Sequence, residues 1–394
     1  MGVSPRSDRL YKQVTMEIRD SITYDCAIIG GGLSGLCLSI QLAEAGFSVV
    51  VLEKNRYPFH KVCGEYISME SWDFLEGLGL PLSDMNLPII DQLGISSQRG
   101  FMLNHTLKMG GFGISRFSLD QSLSQVAVSK GVIINENCRV NGVTKLGEQA
   151  SEISSSLGSY SARVVCGSYG KYTPSFLPSA ESEKVADGIN YIGVKYHVKA
   201  GLPTNRIELH NFEDGYCGIS KVDNDWHCLC YLTTAKNLTR NNKDIGVMEQ
   251  NVLFKNPFLK KYLTESEFLT EQPLVISNVS FKKKSTDNQG IFLLGDAAGS
   301  ITPLCGNGMS MGMRASKLLA AELIALLDNK ETREQALLNY KQNWNKNFGN
   351  RIKAGYYLQH LFGKNSTTDL ALRGLNLFPA LTSKLVSLTH GARF

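Results

Sequence analysis

The sequence of 394 residues predicts a protein of the α/β class, in which a mainly parallel sheet carries an inserted antiparallel sheet and a helical carboxyl-terminal region. Three observations predict this organisation. A glycine-rich turn between an apolar run and a helical pattern lies within Tyr24–Lys54. Residues 175–281 contain several short runs that alternate between apolar and polar side chains, as antiparallel strands do. From Asn307 onward the apolar residues follow helical spacing.

The first element is a βαβ unit with glycines at informative positions. Asp25–Ile29 is a short apolar run suited to a strand buried on both faces, and Gly30, Gly32 and Gly35 follow it as G-x-G-x-x-G. The first glycine permits a sharp turn, the second lets a pyrophosphate approach the backbone, and the third lets a helix pack closely on the strand. Ser34 is a further candidate contact in the same turn.

The unit closes on a second strand, Val49–Leu52, after a helix over Leu36–Ala45 that Gly46 can cap. Glu53 lies at the carboxyl end of this strand, about 20 residues beyond the glycines, where a carboxylate can accept hydrogen bonds from a ribose. Lys54 follows it. The sequence therefore predicts a Rossmann-like dinucleotide-binding unit, with Glu53 and Lys54 at its nucleotide end.

Further elements of the nucleotide-binding domain follow along the chain. A helix is predicted to begin at Arg116 and to end at Gly131, because Leu119, Leu123 and Val126 recur at helical spacing. Further strands are predicted at Val132–Asn135, Cys138–Val143 and Val164–Cys166, and an apolar strand begins at Gly290.

The inserted sheet is predicted from alternation and from turn residues. Tyr191–Val198 and Arg206–His210 alternate, and Pro273–Phe281 is a further strand. Gly215–Leu232 predicts a hairpin that turns at Asp223–Asp225. These elements give the following predicted domains: a mobile extension at residues 1–21, a discontinuous nucleotide-binding domain at 22–90, 116–174 and 282–327, a substrate-binding sheet at 91–115 and 175–281, and a helical region at 328–394.

Composition excludes several classes of protein. The formal net charge of +5 is spread out and does not indicate nucleic acid binding, but it would not repel an anionic membrane surface, a phosphate ester or NADPH. No apolar run reaches the roughly 18 residues of a membrane span, and no signal peptide is visible.

The cysteines number nine with no C-x-x-C pair, so we expect that the protein is located in a reducing cytoplasm. Cys228 and Cys230 share a strand face, yet no partner set predicts a metal site, and we read them as buried hydrophobes.

The far end of the chain indicates which dinucleotide is bound. The apolar strand from Gly290 runs into Gly295-Asp296 and then into small residues ending at Ser300. Here the chain resembles the FAD-dependent oxidoreductases that include the aromatic hydroxylases, the flavin-dependent halogenases and the geranylgeranyl reductases. The resemblance spans most of 24–327, and it implies that Asp296 contacts the ribityl chain of FAD. An Asp that only caps the following helix is the structural alternative.

Other stretches extend this resemblance. Lys61-Val-Cys-Gly-Glu is similar to the K-x-C-G stretch of geranylgeranyl reductases, which implies that Cys63, Gly64 and Tyr66 contact FAD. The resemblance also implies FAD contacts for Arg116, within R-x-x-x-D, and for Val140. Arg116 as a surface residue at a helix end is the alternative. A helix beginning at Gly308-Met309 would direct N–H groups and a partial positive charge at the pyrimidine side of the flavin, which would favour its reduced form.

The sequence leaves open which reaction of this group of enzymes the protein catalyses: isoprenoid reduction, hydroxylation or halogenation. Isoprenoid reductases carry a G-Y-x-W-x-F-P segment, and the matching stretch Gly215–Lys221 lacks the tryptophan and the proline. Many single-component hydroxylases carry an Asp-Gly pair, and Cys166–Pro174 has no Asp there, so a separate flavin reductase would be an alternative to direct reduction by NAD(P)H. Halogenases rank last, since W-x-W-x-I-P is absent and no Lys occurs between Lys61 and Lys108.

We therefore predict a FAD-dependent oxidoreductase, monooxygenase-like and acting on a hydrophobic aromatic or polyketide-type molecule, with NAD(P)H as reductant. An alkene reductase of the geranylgeranyl reductase type is the first alternative, and a flavin-binding redox sensor is the alternative of another class. Tyr216 and Glu65 are the candidate catalytic residues, and no metal is predicted. Trp226, Phe112 and Phe117 are candidates for lining the substrate cavity. A basic tail with Arg351, Lys353, Lys364 and Arg373 is a candidate for peripheral membrane contact.

Overall fold

The computed structural model describes residues 23–147, 150–178, 190–279, 284–300, 306–361 and 365–394. The extension predicted at residues 1–21 lies outside these ranges, as do Phe281 at the end of one predicted strand and residues 301–305. The strands are β1 (Thr23–Ile29), β2 (Val49–Leu52), β3 (Tyr66–Ser68), β4 (Ile89–Ser96), β5 (Met102–Gly113), β6 (Ile133–Asn135), β7 (Val140–Lys145), β8 (Ser151–Ser155), β9 (Gly158–Gly167), β10 (Tyr191–Lys199), β11 (Arg206–Phe212), β12 (Gly215–Lys221), β13 (His227–Thr234), β14 (Glu267–Phe268), β15 (Leu274–Val279), β16 (Asp287–Asn288) and β17 (Ile291–Leu293). The α-helices are α1 (Leu33–Glu44), α2 (Trp72–Gly77), α3 (Arg116–Ser129), α4 (Ala235–Arg240), α5 (Ile245–Val252), α6 (Pro257–Glu265), α7 (Gly308–Leu327), α8 (Arg333–Leu361), α9 (Asn365–Leu377) and α10 (Pro379–Ser387).

The first sheet is built around parallel strands. Its order is β16-β17-β9-β1-β2-β6, with β7 and β8 attached through β9. β1 runs parallel to both β2 and β9, and β17 runs parallel to β9. All four residues of β2 are buried, as its uninterrupted apolar sequence requires for a strand covered on both faces. The α/β class and the Rossmann-like unit that the sequence predicts are confirmed.

The second sheet is mainly antiparallel, in the order β14-β10-β13-β12-β11-β4-β5-β3, with β15 paired to β10. The predicted hairpin joins β12 to β13, and its turn places Asn224 and Asp225 at φ +57° and +64°, which Asn and Asp tolerate better than most residues. β3 pairs with β5 in this sheet, although Tyr66–Ser68 falls within the range 22–90 that the sequence suggests for the nucleotide-binding domain.

Helices cover the first sheet and close one side of the second. α1 begins at Leu33, directly after its N-cap residue Gly32, and buries Leu36, Ile40 and their neighbours between the sheet and α7. α8 buries Ala336, Tyr340, Trp344 and Phe348 at intervals of four residues, one face of a helix. α9 and α10 pack on β5 of the second sheet. This arrangement leaves an interior space between the two sheets, bounded by the glycine turn and by the last two helices.

Candidate functional site

A single cavity of about 930 Å³ runs between the sheets. Its wall contains every cofactor candidate from the sequence except Gly35, together with Tyr216 and Glu65. These candidates are Gly30, Gly32, Ser34, Glu53, Lys54, Cys63, Gly64, Tyr66, Arg116, Val140, Gly295, Asp296, Gly308 and Met309. Residues that lie far apart in the sequence therefore come together at one elongated space.

The three glycines of the turn differ in what surrounds them. Gly30 has φ +100°, and a Cβ there would lie 2.5 Å from the carbonyl oxygen of Ser168. A Cβ on Gly35 would lie 2.4 Å from the carbonyl oxygen of Gly30, so this glycine is needed for the close helix–strand contact and not for lining the cavity. The nearest atom to a Cβ on Gly32 would be Nζ of Lys61 at 3.6 Å. Gly32 is thus the glycine that leaves space within the cavity.

Glu53 holds the glycine turn to the second strand. Its Oε2 accepts a hydrogen bond from the backbone N–H of Gly31 at 2.8 Å, and its Oε1 accepts one from the backbone N–H of Asn55 at 2.9 Å. The hydroxyl of Tyr57 donates to the carbonyl oxygen of Gly31. Glu53 therefore fixes the turn as well as lining the nucleotide end of the cavity, beside Lys54.

Arg116 lies in the wall of the cavity within a buried charge cluster. Its Nε and Nη2 donate to the two carboxylate oxygens of Asp120 at 2.9 and 2.7 Å, and Nζ of Lys61 donates to the same carboxylate at 2.9 Å. Burial raises the pKa of Asp120, but the charges of Arg116 and Lys61 outweigh that effect and hold the pKa below its usual range. Two cations share one carboxylate, so the cluster keeps a net positive charge that suits a phosphate group.

Glu65 lies at the centre of a second buried cluster. Its Oε1 accepts hydrogen bonds from Nζ of Lys195 and from the backbone N–H of Arg116, and its Oε2 lies 2.7 Å from Nε2 of His197. Burial opposes ionisation of Glu65, yet the hydrogen bond from His197 and the charge of Lys195 lower its pKa. Glu65 adopts φ +56°. The carboxylate is therefore held ionised, with hydrogen bonds to both of its oxygens.

The second sheet also holds the loop that contains Cys63. Nζ of Lys195 donates to the carbonyl oxygen of Lys61 at 3.1 Å, and Sγ of Cys228 donates to the carbonyl oxygen of Cys63 at 3.1 Å. The sequence reading missed Lys195 and His197. Their signal is a row of three polar residues, Lys195, His197 and Lys199, at alternate positions of β10, which places them on the same side of the strand.

The cysteines on β13 differ in environment. Cys228 is buried beside Glu65 and His197, and among the described residues these three form the group that could hold a metal ion. Lys195 already supplies a positive charge to Glu65, so we assign no metal to this group. Cys230 lines the cavity. The interpretation of Cys230 as a buried hydrophobe is therefore corrected: Cys230 lies on a side of the strand that faces the cavity.

The late Gly-Asp and the start of α7 line the cavity. Gly295 has φ +61°, and Asp296 accepts a hydrogen bond from the hydroxyl of Ser300 at 2.9 Å. Oδ1 of Asn307 and Oγ of Ser310 are buried at the first turn of α7 with no hydrogen-bond partner among the described residues. Neither of these two side chains lines the cavity, whose wall at this turn is formed by Gly308 and Met309.

The far end of the cavity is aliphatic. Of the aromatic side chains proposed from the sequence, Tyr216 lines it, whereas Trp226, Phe112 and Phe117 do not: Phe112 packs on Trp72 and Phe117 stacks on His60. The lining comes instead from the second sheet and from the inner faces of α9 and α10, namely Leu93, Ile95, Leu107, Ile207, Leu209, Leu372, Leu375, Leu385 and Val386. This end suits an apolar molecule.

The carboxyl-terminal segment that covers this end is anchored through Glu70. Nη1 and Nη2 of Arg351 lie 3.3 and 3.2 Å from the buried Glu70 carboxylate, which also accepts the backbone N–H of Gly391 at 2.8 Å. Nδ2 of Asn307 donates to the carbonyl oxygen of Thr389 at 2.6 Å. The prediction that Arg351 is available to lipid is wrong, because this ion pair buries it.

Replacing Glu70 by Gln is expected to increase the mobility of the carboxyl-terminal segment that covers the aliphatic end of the cavity. The change removes the charge that balances the buried Arg351 guanidinium and weakens the contact with Gly391. Hydrogen exchange should show residues 379–394 exchanging at least about tenfold faster, while β1 and β2 are unchanged. Asp73→Asn is the matched control, because Asp73 pairs with Arg393 at 3.6 Å with both side chains more than half exposed. Equal exchange in Glu70→Gln and the wild type would contradict the anchoring role.

Comparison with known proteins agrees with this site. A sequence-family profile described as a FAD binding domain matches residues 23–151. Conditioned medium factor receptor 1 of Dictyostelium discoideum is 26% identical, over 95% of this chain and 76% of its own length. Digeranylgeranylglycerophospholipid reductase 1 of Methanococcoides burtonii is 24% identical, over 90% of this chain and 87% of its own length. The solved structure of the flavin-dependent brominase Bmp2 superposes with a TM-score of 0.74 at 18% identity, covering 95% of this chain and 94% of that one.

The fold and the site define a flavoprotein with a Rossmann-like nucleotide-binding domain and an antiparallel sheet over its cofactor cavity. The chain is similar in sequence to a digeranylgeranylglycerophospholipid reductase and in fold to a flavin-dependent halogenase, in agreement with an FAD-dependent oxidoreductase. Among the described residues, the structure contains no helix that is both long and apolar enough to cross a membrane.

Proposed function

We propose that this protein reduces a carbon–carbon double bond in a hydrophobic, largely aliphatic small molecule, using FAD and NAD(P)H. The observation that carries the proposal is the continuity of one cavity from the glycine turn to an end lined by aliphatic side chains. The covering helices α9 and α10 face this end with Leu372, Leu375 and Val386, which exclude water from it. The named reductase among the relatives supports the same reaction class.

The residues present fit FAD. The open side of Gly32 and the positively charged cluster of Arg116 and Lys61 would hold the pyrophosphate. Glu53, Lys54 and Val140 would hold the adenosine end, and Asp296 the ribityl chain. Ser34, Cys63, Gly64, Tyr66, Gly295, Gly308 and Met309 would complete the contacts. The first turn of α7, where Gly308 and Met309 line the cavity, would meet the polar edge of the ring.

FAD, when bound, supplies the transfer of two electrons between NAD(P)H and substrate. The net reaction adds two electrons and two protons across the double bond, with one proton coming from NAD(P)H as part of a hydride and one from solvent. Glu65 suits a positioning role, because Lys195 and His197 hold it ionised beneath the Lys61–Cys63 loop. Tyr216, 6% exposed in the cavity wall, is the candidate for orienting the substrate.

Oxygenation of an aromatic molecule is the second candidate. One stretch of the wall presents the aromatic rings of Tyr169, Tyr172 and Phe176, which suit stacking against a planar substrate. The same stretch, Cys166–Pro174, contains no Asp, which favours a separate flavin reductase as the electron source for that reaction. A redox sensor without a substrate would need none of the aliphatic lining.

Product mass separates these candidates. The purified holoprotein is incubated with NADPH and either a polyprenyl alcohol or a simple phenol, with and without an added flavin reductase and with and without oxygen. The proposal predicts a polyprenyl product heavier by two hydrogens that also forms without oxygen. A phenol product heavier by one oxygen, formed only in air, would replace it with the second candidate. Absence of product from both, with NADPH reducing the bound flavin, would favour the redox sensor.

Filling the aliphatic end should abolish turnover and leave FAD in place. Leu372 is 1% exposed and lines the cavity, so Leu372→Trp is expected to reduce turnover of the polyprenyl alcohol by at least about a hundredfold through steric exclusion. Leu370→Trp on the same helix is the matched control, because Leu370 is 74% exposed. Full turnover in Leu372→Trp would contradict the assignment of this end to the substrate.

A further inference from the structure

The carboxyl-terminal segment has a charge unlike that of the rest of the chain. Between Tyr340 and Phe394 the sequence contains eight Lys and Arg residues but only one acidic residue, Asp369, giving 8 − 1 = +7. The whole chain is +5, so the remaining residues sum to −2. Asp369 is itself paired with Arg373 at 2.9 Å. Arg351 and Arg393 pair with Glu70 and Asp73 outside the segment, whereas Lys341, Lys346, Lys353 and Lys384 are exposed. The positive surface of the segment is therefore formed by these lysines.

The same segment exposes large apolar side chains. Leu370 and Leu377 of α9 are 74% and 73% exposed and lie seven residues apart, on one helix face. Phe378 between the two helices is 61% exposed, and Leu381 and Leu388, again seven apart, are 47% and 48% exposed. Tyr356 and Tyr357 near the end of α8 are 55% and 71% exposed. We call these seven side chains the outer apolar patch.

We propose that the outer apolar patch and its surrounding lysines dock this protein onto the surface of an anionic lipid bilayer. Exposed Leu and Phe with Tyr and Lys around them are the composition of helices that lie in the membrane interface. α9 has its inner face, through Leu372 and Leu375, in the aliphatic end of the cavity and its outer face in the patch. One helix therefore separates the lipid side from an apolar cavity, which would let an apolar molecule pass from a membrane into the protein.

The positive charge of the segment favours an anionic membrane, and not a second copy of the chain, as the partner of the outer apolar patch. Two copies meeting through this surface would bring two positively charged segments together, whereas an anionic lipid surface attracts exposed Lys and Arg side chains. The inference goes beyond the proposed function, because the binding needs neither FAD nor turnover. Its failure would leave the proposed reaction untouched.

Vesicle flotation of the full-length protein tests the docking surface. We expect the protein to float with vesicles of phosphatidylcholine and phosphatidylserine, to float at least about tenfold less with phosphatidylcholine alone, and to be released as salt rises. Leu377→Asp/Phe378→Asp should lower flotation at least about tenfold. Leu146→Asp/Val128→Asp is the matched control, because those side chains are 60% and 57% exposed and lie in the nucleotide-binding domain.

A second pair of variants tests the charge. Lys353→Glu/Lys384→Glu should reduce flotation at least about tenfold, and Lys260→Glu/Lys261→Glu on α6 should leave it unchanged. Absence of flotation by the wild type, or equal loss in the patch variant and its control, would overturn the proposal. A dimer in solution that Leu377→Asp/Phe378→Asp dissociates would identify a second copy as the occupant and would also overturn it.

Discussion

Replacing Lys195 by Met is expected to destabilise the protein by about 3–5 kcal/mol, because it leaves the Glu65 carboxylate buried without its balancing charge. Both side chains are completely buried, and the ammonium also holds the carbonyl oxygen of Lys61. Thermal unfolding of the apoprotein and the holoprotein measures the loss. The Lys61–Cys63 loop should also loosen, so FAD affinity should fall together with stability.

The same strand supplies the control for this prediction. Lys199 pairs with Glu267 at 2.9 Å, with side chains 50% and 63% exposed, so Lys199→Met should cost about 0–1 kcal/mol. In the double variant Lys195→Met/Glu65→Gln no buried charge remains from this pair, and part of the lost stability should return. If Lys195→Met behaves like Lys199→Met, the cluster around Glu65 does not hold the cavity wall.

Replacing Gly32 by Val is expected to remove FAD without unfolding the protein. Gly32 has φ −78° and ψ 175°, an extended conformation that Val adopts readily. Among the described residues other than its chain neighbours, the atom nearest to the position of its Cβ is Nζ of Lys61 at 3.6 Å. The added side chain would instead fill the space proposed for the pyrophosphate. We expect the purified variant to lose the flavin absorbance while its apoprotein unfolds at the wild-type temperature.

Gly201→Val is the control for Gly32→Val, because Gly201 is exposed and a Cβ there meets nothing within 4 Å. Asp296→Ala should also strip FAD, since it removes the carboxylate proposed for the ribityl chain. If either variant at Gly32 or Asp296 retains the full yellow colour, the placement of FAD in this cavity is wrong.

The sequence predicted the elements whose cause is local. The G-x-G-x-x-G turn, the hairpin at Asp223–Asp225 and the start of α7 at Gly308 are each determined by residues within a few positions, and each is where it was expected. The second sheet was predicted from alternation, but the pairing of Tyr66–Ser68 with β5 was not, because three residues are too few to show a period.

The parts that escaped prediction depend on contacts between distant segments. Glu65 and Lys195 are separated by 130 positions, and only the crossing of β10 beneath the loop makes one buried pair of them. The sequence suggested Arg351 as a candidate for membrane contact, whereas the structure pairs it with the buried Glu70. The aliphatic end of the cavity arises because α9 and α10 fold back onto β5, which no local pattern indicates.

The binding of FAD to the recombinant protein tests the central claim most directly. The protein is purified, its absorbance spectrum is recorded, and it is then freed of ligand and titrated with FAD while its fluorescence is followed. We predict a yellow protein that rebinds FAD in stoichiometric amount and unfolds at a higher temperature when loaded. A folded but colourless protein that takes up no FAD in excess would contradict the account of the cavity and of the reaction.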